Sequence, residues 1–294
     1  MEGLIVEEVP ELRNPYLLFA FRGWPDAAEA ASGAVRYLIR KLEAKRFAEI
    51  DPEKFFDFSV VRPMTSVVSP YQREIRWPSN RFYYWKNELG QRDFMFFLGI
   101  EPNLMWRTFA SGILDLAQQC GADTLLGLGA LLDNVPHTRD IKLSGSGNSQ
   151  EVVAHLESLG VYSSNYQGPT GIHSALYEAC QKRTVPMLSL WGHSPHYVQG
   201  IGNPKVSYAL LAKLKQLLGL EFNLEDLRLA SVSFQEEIDK VLATQPEIQS
   251  YVRHLEEQYD GQEGTALDIP SPEALVKELE AFLRKQRKDL DDKP

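Results

Sequence analysis

The sequence predicts an α/β fold, with a parallel-rich sheet covered by helices on both faces and a helical appendage at the C-terminal end. Three observations carry this. Short apolar runs of six to eight residues, such as YLLFAF (Tyr16 to Phe21) and FMFFLG (Phe94 to Gly99), are bounded by turn residues and have no polar alternation. Strands that read this way are covered on both faces. Amphipathic helical segments alternate with them, and such alternation implies right-handed crossovers between parallel strands. After Leu220 the alternation stops, and only acidic amphipathic helices follow.

Residues 1–15 read as a loosely held lead-in. Tyr16 to Phe21 is the first strand, and Gly23, Trp24, Pro25 and Asp26 turn the chain into a helix from Ala27 to Leu42. Asp26 is its expected N-cap, and Ala31, Val35, Leu38, Ile39 and Leu42 form its apolar stripe. Phe47 to Ile50 and Phe56 to Val61 are short strand candidates. Tyr71 to Trp85 reads as a hairpin turning at Pro78, Ser79 and Asn80, covering a sheet edge or packing on another subunit. Phe94 to Gly99 is the most hydrophobic strand and leads into a helix from Leu104 to Gln119. The central stretch runs from Asp123 to Asn148. It is expected to hold a strand (Thr124 to Leu131), a turn through Asp133 to Pro136, a second strand (Thr138 to Leu143) and a closing loop, Ser144 to Asn148. Helices follow at Gln150 to Leu159 and Thr170 to Arg183, the latter capped by Thr170. A strand is expected at Val185 to Trp191, and a helix at Pro204 to Leu218 with proline in its favoured first turn. Beyond it lie helices at Leu224 to Leu242, Pro246 to Tyr259 and Pro272 to Lys288, so the expected division is a sandwich domain over 1–220 and an acidic helical region over 221–294.

Composition narrows the function. The chain has 294 residues, 44% of them hydrophobic and 24% charged, as soluble globular proteins do. Its net charge of −9 is uneven: residues 1–220 carry 22 acidic and 22 basic side chains, residues 221–294 carry 18 and 9. A neutral body with an acidic tail argues against nucleic acid and anionic membrane as partners, since both need a basic footprint. Arginines interleave with aromatics over Tyr71 to Trp85, but Arg73, Arg76 and Arg81 alone do not make a nucleic-acid face. Met1 to Pro15 is acidic and lacks the apolar core of a signal peptide, so a cytoplasmic location is expected. Cys120 and Cys180 fit buried free thiols better than a disulfide.

Open parallel sheets place working loops beyond the carboxyl ends of their strands. By that rule Gly23 to Asp26, Gly99 to Asn103, Ala130 to His137 and Gly192 to Tyr197 are expected at one rim, and the loops of the central stretch, Gly168 to Ser174 and Trp191 to Tyr197 are expected to form one site. In the central stretch, Asp133, His137 and Arg139 pair an aspartate with a histidine it could orient and an arginine that could hold an anion. The plainer reading has Asp133 closing its turn and Arg139 pairing with a neighbour. His196 joins them as a fourth catalytic candidate. His193 and His196 lie three apart in a Gly/Pro-rich loop, a spacing that does not force both rings onto one ion, and no metal is expected. Gly168, Thr170 and Gly171 open a helix, while Ser144 and Asn148 bracket a glycine-rich loop; both stretches offer backbone N–H groups to an anionic ligand, and the plainer reading has ordinary turn and cap glycines in both. Neither is a Walker loop, and no Gly-x-Ser-x-Gly elbow is present. No cofactor is expected. Trp24, Trp106 and Trp191 read as packing residues.

Several motifs, in order, resemble the proteasome assembly chaperone 2 family. They are Gly99 to Arg107 (GIEPNLMWR), Gly129 to Arg139 (GALLDNVPHTR), Gly168 to Gly171 (GPTG), Ser189 to Val198 (SLWGHSPHYV), Asn203 to Lys205, and Tyr251 to Glu256 (YVRHLE). The resemblance spans Leu17 to Tyr259 and is nearest to the bacterial branch, whose members often carry a loose ATP-grasp label; no phosphate loop supports that label in this chain. The resemblance implies a three-layer α/β sandwich similar to nucleoside phosphorylases and some hydrolases. It also implies a homo-oligomer, with a trimer favoured, and in relatives a role in proteasome assembly. It supplies no catalytic residue. His193 stands where the family pattern does not require histidine, and the ending Asp291-Asp292-Lys293-Pro294 lacks the hydrophobic–tyrosine–any-residue ending with which some relatives dock on proteasomes. Two functions follow as expectations: a non-enzymatic, protein-binding scaffold or assembly chaperone, or a small-molecule hydrolase or phosphorylase-like enzyme working through the loop rim.

Overall fold

The computed structural model describes residues 3–261 apart from positions 165 and 244, so the helix expected over Pro272 to Lys288 lies outside the described residues. The described chain is α/β, as expected, with eleven strands and seven α-helices. The described residues form two compact units: those within 3–25, 35–128 and 145–189 make the first, and those within 26–34, 129–144 and 190–261 the second.

The first unit carries the sheet. Strand β1 (Leu4–Val6) pairs antiparallel with β3 (Lys45–Ile50), so the lead-in contributes an edge strand. Strand β2 (Tyr16–Arg22) is central, with Leu17, Leu18, Phe19, Ala20 and Phe21 all at 0% exposure. It pairs in parallel with β7 (Phe94–Ile100), in the register Phe19↔Phe97, and with β8 (Thr124–Asp133), in the register Phe19↔Gly127. The sheet order is β1-β3-β6-β7-β2-β8-β11-β9-β10, where β6 is Asn80–Trp85, β9 is Leu143–Gly147, β10 is Tyr162–Ser163 and β11 is Met187–Pro195. Strands β8 and β11 run on from the first unit into the second.

Helix α1 is Ala30–Lys41, three residues shorter at its start than expected. Ala28 and Glu29 have left-handed φ values of 52° and 47°, which break the first turn into a separate 3₁₀ segment. Asp26 still caps α1, because its Oδ1 accepts the N–H groups of Ala31 (2.8 Å) and Ser32 (3.0 Å). Helix α2 (Trp106–Gln119) also starts late, behind Met105 at φ 54°. Helices α3 (Gln150–Ser158) and α4 (Ile172–Lys182) complete the first unit. Helix α4 is preceded by Gly171 rather than capped by Thr170, whose hydroxyl bonds that of Ser174 instead.

Two expected strands are not strands, and the expected hairpin pairs differently. Phe56 to Val61 is a set of turns, because Asp57 accepts the N–H (2.8 Å) and O–H (2.6 Å) of Ser59 and its carbonyl accepts Val60 and Val61. The hairpin lies earlier than predicted, since β4 (Met64–Ser69) pairs with β5 (Gln72–Arg76) around Pro70 and Tyr71 as a separate two-stranded sheet. Strand β6 instead joins the main sheet between β3 and β7. Asn80 is fully buried there and accepts the Ile100 N–H at 2.8 Å, while the Phe82 and Phe97 rings meet at 4.7 Å. Thr138 to Lys142 is loop, and the stretch read as a glycine loop is β9. Its glycines serve close packing. A Cβ on Gly147 would come 2.3 Å from Val152 Cγ1, and one on Gly145 would come 2.9 Å from Val161 Cγ1.

The second unit holds helices α5 (Pro204–Leu218), α6 (Glu225–Leu242) and α7 (Pro246–Tyr259), each near its expected span. Asn203 caps α5 through Lys205 and Val206. A core of Tyr197, Val198, Ile201, Phe234, Ile238, Val252 and Leu255 packs α6 and α7 on the segment after β11. No described helix is long and apolar enough to cross a membrane.

Three buried side chains of the first unit give measurable consequences. His173 lies fully buried against Phe19 and Phe21, and desolvation depresses it from 6.5 to about 3. The native state keeps this ring neutral while the unfolded state protonates it near pH 6.5. Its stabilisation is therefore complete above that pH and lost as pH falls toward 3, at about 1.4 kcal/mol per pH unit. Urea titrations of His173→Phe should show a flatter decline over that window than the wild type. The free cysteines Cys120 and Cys180 are buried, which pushes their thiols up to about 11 and about 12. Both should resist a disulfide reagent at pH 8 until denaturant is added.

Candidate functional site

Each unit gathers part of the expected rim. In the first, the β2 and β7 ends meet the start of α4. Gly171 lies so close that a Cβ there would sit 2.8 Å from Glu101 Oε1 and 3.2 Å from the Trp24 ring. Glu101 Oε1 accepts the Ile172 N–H at 2.8 Å. The chain's own carboxylate thus occupies the first amide of α4, where the anion reading placed a ligand. Burial raises the Glu101 carboxyl, and hydrogen bonds from Ile172 and Trp24 oppose this. Gly168 packs on the Tyr166 hydroxyl. Asn148 bridges the start of β11, donating to the Val185 carbonyl (2.6 Å) and accepting from the Met187 N–H (2.9 Å).

In the second unit the segment after β8 meets the end of β11. Tyr197, fully buried, accepts the His137 N–H at 2.7 Å and lies 2.7 Å from its Nδ1. The hydroxyl proton therefore points to Nδ1, which leaves the ring proton on Nε2 for Asp239 Oδ1 at 2.9 Å. Burial depresses His137, and Asp239 opposes this. Lys205 Nζ donates to the His137 carbonyl (2.6 Å) and to Gln235 (2.7 Å). Arg139 forks onto Asp260 (Nη2 at 2.7 Å, Nε at 3.0 Å) and reaches Glu256 at 3.2 Å, so its partners come from α7. Glu256 also takes the Thr138 hydroxyl. His196 donates its N–H to the Asp133 carbonyl (3.1 Å), and its Nε2 lies 3.0 Å from the Tyr251 hydroxyl. The loop that carries His137 and Arg139 is thus tied to α6 and to the C-terminal end of α7, with both ring nitrogens of His137 engaged by Tyr197 and Asp239.

A second constellation in the same unit involves a residue the sequence reading set aside. Asp133 Oδ1 accepts the Asn134 N–H (2.8 Å), as a turn aspartate does, while Oδ2 lies 2.7 Å from His193 Nδ1. His193 Nε2 lies 2.9 Å from Ser144 Oγ. Hydrogen bonds from His193 and Asn134 and the charge of Lys142 hold the Asp133 carboxyl low against its burial, and burial depresses His193. An ionised carboxylate only accepts, so Nδ1 carries the proton and Nε2 accepts from the serine hydroxyl. His193 was weighed only with His196, as a metal pair, and its actual partners lie 60 and 49 residues away in sequence.

Of the predicted set, Asp133, His137, Arg139, Ser144 and His196 fall in the second unit, and Asn148, Gly168, Thr170 and Gly171 in the first. A groove of about 500 Å³ in the second unit is lined by residues of α5, α6 and the link between them, including Tyr208, Phe222 and Arg228, none of them predicted. Removing the His137 ring should leave the Tyr197 hydroxyl and Asp239 without their partner. His137→Ala should then lower the unfolding free energy by about 2–3 kcal/mol in urea melts.

Comparisons with known proteins agree with this fold. The sequence profile described as the PAC2 family matches residues 20–242. The crystal structure of a PAC2 family protein from Streptomyces avermitilis is 36% identical, with TM-score 0.73, covering 81% of this chain and 99% of that one. A proteasome-assembly chaperone homologue from Mycobacterium tuberculosis is 35% identical over the same shares, with TM-score 0.74. An archaeal proteasome activator from Pyrococcus furiosus shares the fold at 20% identity and TM-score 0.65, covering 81% of this chain and 97% of its own. No curated protein matches the chain.

Proposed function

Starting from the premise that this chain belongs to the PAC2 family, we propose that it works as a cytoplasmic, homo-oligomeric protein-binding scaffold or assembly chaperone, with a trimer as the favoured particle. The proteasome-assembly chaperone homologue among its relatives supports a proteasome-type assembly as the target. The observation that carries the reading is the β4–β5 ribbon. Two-stranded ribbons are marginal alone in water, yet this one exposes residues along both strands, with all of β5 exposed. Val67 (64%), Tyr71 (100%), Ile75 (53%) and the following Trp77 (51%) are open to solvent. Exposed apolar clusters of this kind mark protein contacts. Acidic residues of α6 and α7 offer a second, charged surface to a partner.

The double variant Val67→Lys/Ile75→Lys should keep the far-UV spectrum and melting temperature of the wild type. It should lose subunits in light scattering, or lose the proteasome-subunit precursors co-purified by the tagged wild type. An unchanged subunit number together with an unchanged partner set would overturn the reading.

A further inference from the structure

We infer that Asp133, His193 and Ser144 form a serine hydrolase relay that cleaves small acyl esters, an activity separable from partner binding. The three side chains come from distant points of the sequence but belong to one compact unit. Asp133 ends β8, Ser144 stands at the start of β9, and His193 lies near the end of β11. Backbone hydrogen bonding holds two of these segments in register, since the His193 N–H donates to the Lys142 carbonyl at 3.1 Å. The imidazole is gripped at both nitrogens, at 2.7 Å by carboxylate and at 2.9 Å by hydroxyl. Its proton sits on the aspartate side. This is the arrangement in which a serine can hand its proton to histidine while an ionised aspartate stabilises the imidazolium. A structural serine needs only one hydrogen bond to any neighbour; here the neighbour is a neutral base already oriented by a carboxylate.

The environment fits the role. His193 is 7% exposed, and burial keeps it neutral at pH 7, the state a general base needs. Asp133 stays ionised beside Lys142 Nζ at 3.5 Å. Asp133 and Lys142 are the charged groups that face the imidazole. Ser144 is 8% exposed, which restricts the acyl group to a short one such as acetyl. The chain order is aspartate, serine, histidine, and triads recur on unrelated folds with differing orders, so order is no bar.

The step balances without any further reagent. Ser144 Oγ bonds to the ester's acyl carbon as its proton passes to His193 Nε2. The acyl carbon–oxygen bond then breaks, and the leaving alcohol takes that proton. Water repeats the sequence on the acyl-serine, releasing a carboxylic acid and restoring Ser144. Ser144 and His193 touch the reacting atoms; Asp133 is a positioning residue that acts through His193.

The test uses the full chain with a fluorophosphonate probe and p-nitrophenyl acetate. Intact-protein mass should show one phosphonate adduct, mapped to Ser144 by peptide sequencing, and acetate ester should give a burst of one p-nitrophenolate per chain. Ser144→Ala should lose both, and His193→Gln, which keeps polar contacts and is checked for a native melting temperature, should slow labelling at least about 100-fold. Asp133→Asn should move the pH profile of labelling, which in the wild type falls as His193 gains a proton. A folded wild-type protein whose Ser144 stays unlabelled, while a control esterase is labelled fully, would overturn the assignment. So would Ser144 labelling that is independent of pH or indifferent to His193→Gln.

Discussion

Everything in the first unit depends on the burial of β2 on both faces. Five consecutive residues, Leu17 to Phe21, have no exposed surface and no polar side-chain atom. Such a strand satisfies its backbone groups only through neighbours on both edges, because an unpaired buried N–H or C=O costs on the order of 1–3 kcal/mol. β7 and β8 supply those edges in parallel, and parallel neighbours require crossover helices. The sheet order, the placement of α2 between β7 and β8, and the cluster of Phe19, Phe21, Phe97 and Phe109 rings follow from that one requirement. Gly127, opposite Phe19, leaves room for its ring, since a Cβ there would lie 2.7 Å from Phe19 Cζ.

The second unit is organised by polar contacts at the ends of β8 and β11. The segment from Asp133 to Lys142 has little apolar surface of its own. It is held by Tyr197 and Asp239 on His137, by Glu256 and Asp260 on Arg139, and by the Tyr259 hydroxyl on the Asp140 carbonyl. Helices α6 and α7 therefore do more than carry acidic surface, because they complete the hydrogen bonds of a loop whose partners are about 60 to 120 residues distant in sequence. The same strand ends bring Asp133, His193 and Ser144 together. The surface proposed at the β4–β5 ribbon and the relay proposed in the second unit use different residues, so the two proposals do not compete.

Helices were legible where periodicity and caps agreed. Pro204 marked the start of α5, and Pro246 that of α7. Local backbone geometry was less visible. The left-handed Ala28, Glu29 and Met105 moved two helix starts by two or three residues. The hairpin was misplaced because Pro78-Ser79-Asn80 has turn composition, while Asn80 is in fact a buried strand residue whose side chain serves the Ile100 amide. Glycines misled for a related reason. In Gly145-Ser146-Gly147 their role is to let Val161 and Val152 approach, and composition does not separate that from flexibility. Of the site, Asp133, His137 and Arg139 drew attention as an aspartate near a histidine it could orient and an arginine that could hold an anion, although a turn recruits aspartate for its geometry alone. Whom they pair with was not written in the turn.

By itself the sequence determined the fold class, the apolar strands at the centre and the family, since each rests on short-range pattern: runs of buried residues, helical periodicity, and motifs in fixed order. Tertiary structure decided the strand pairing of the ribbon, the occupation of the α4 amides by Glu101 and the meeting of Asp133 with His193 and Ser144. Hydrogen bonds and ion pairs act over about 3 Å, and only the folded chain brings to that distance side chains separated by tens of residues.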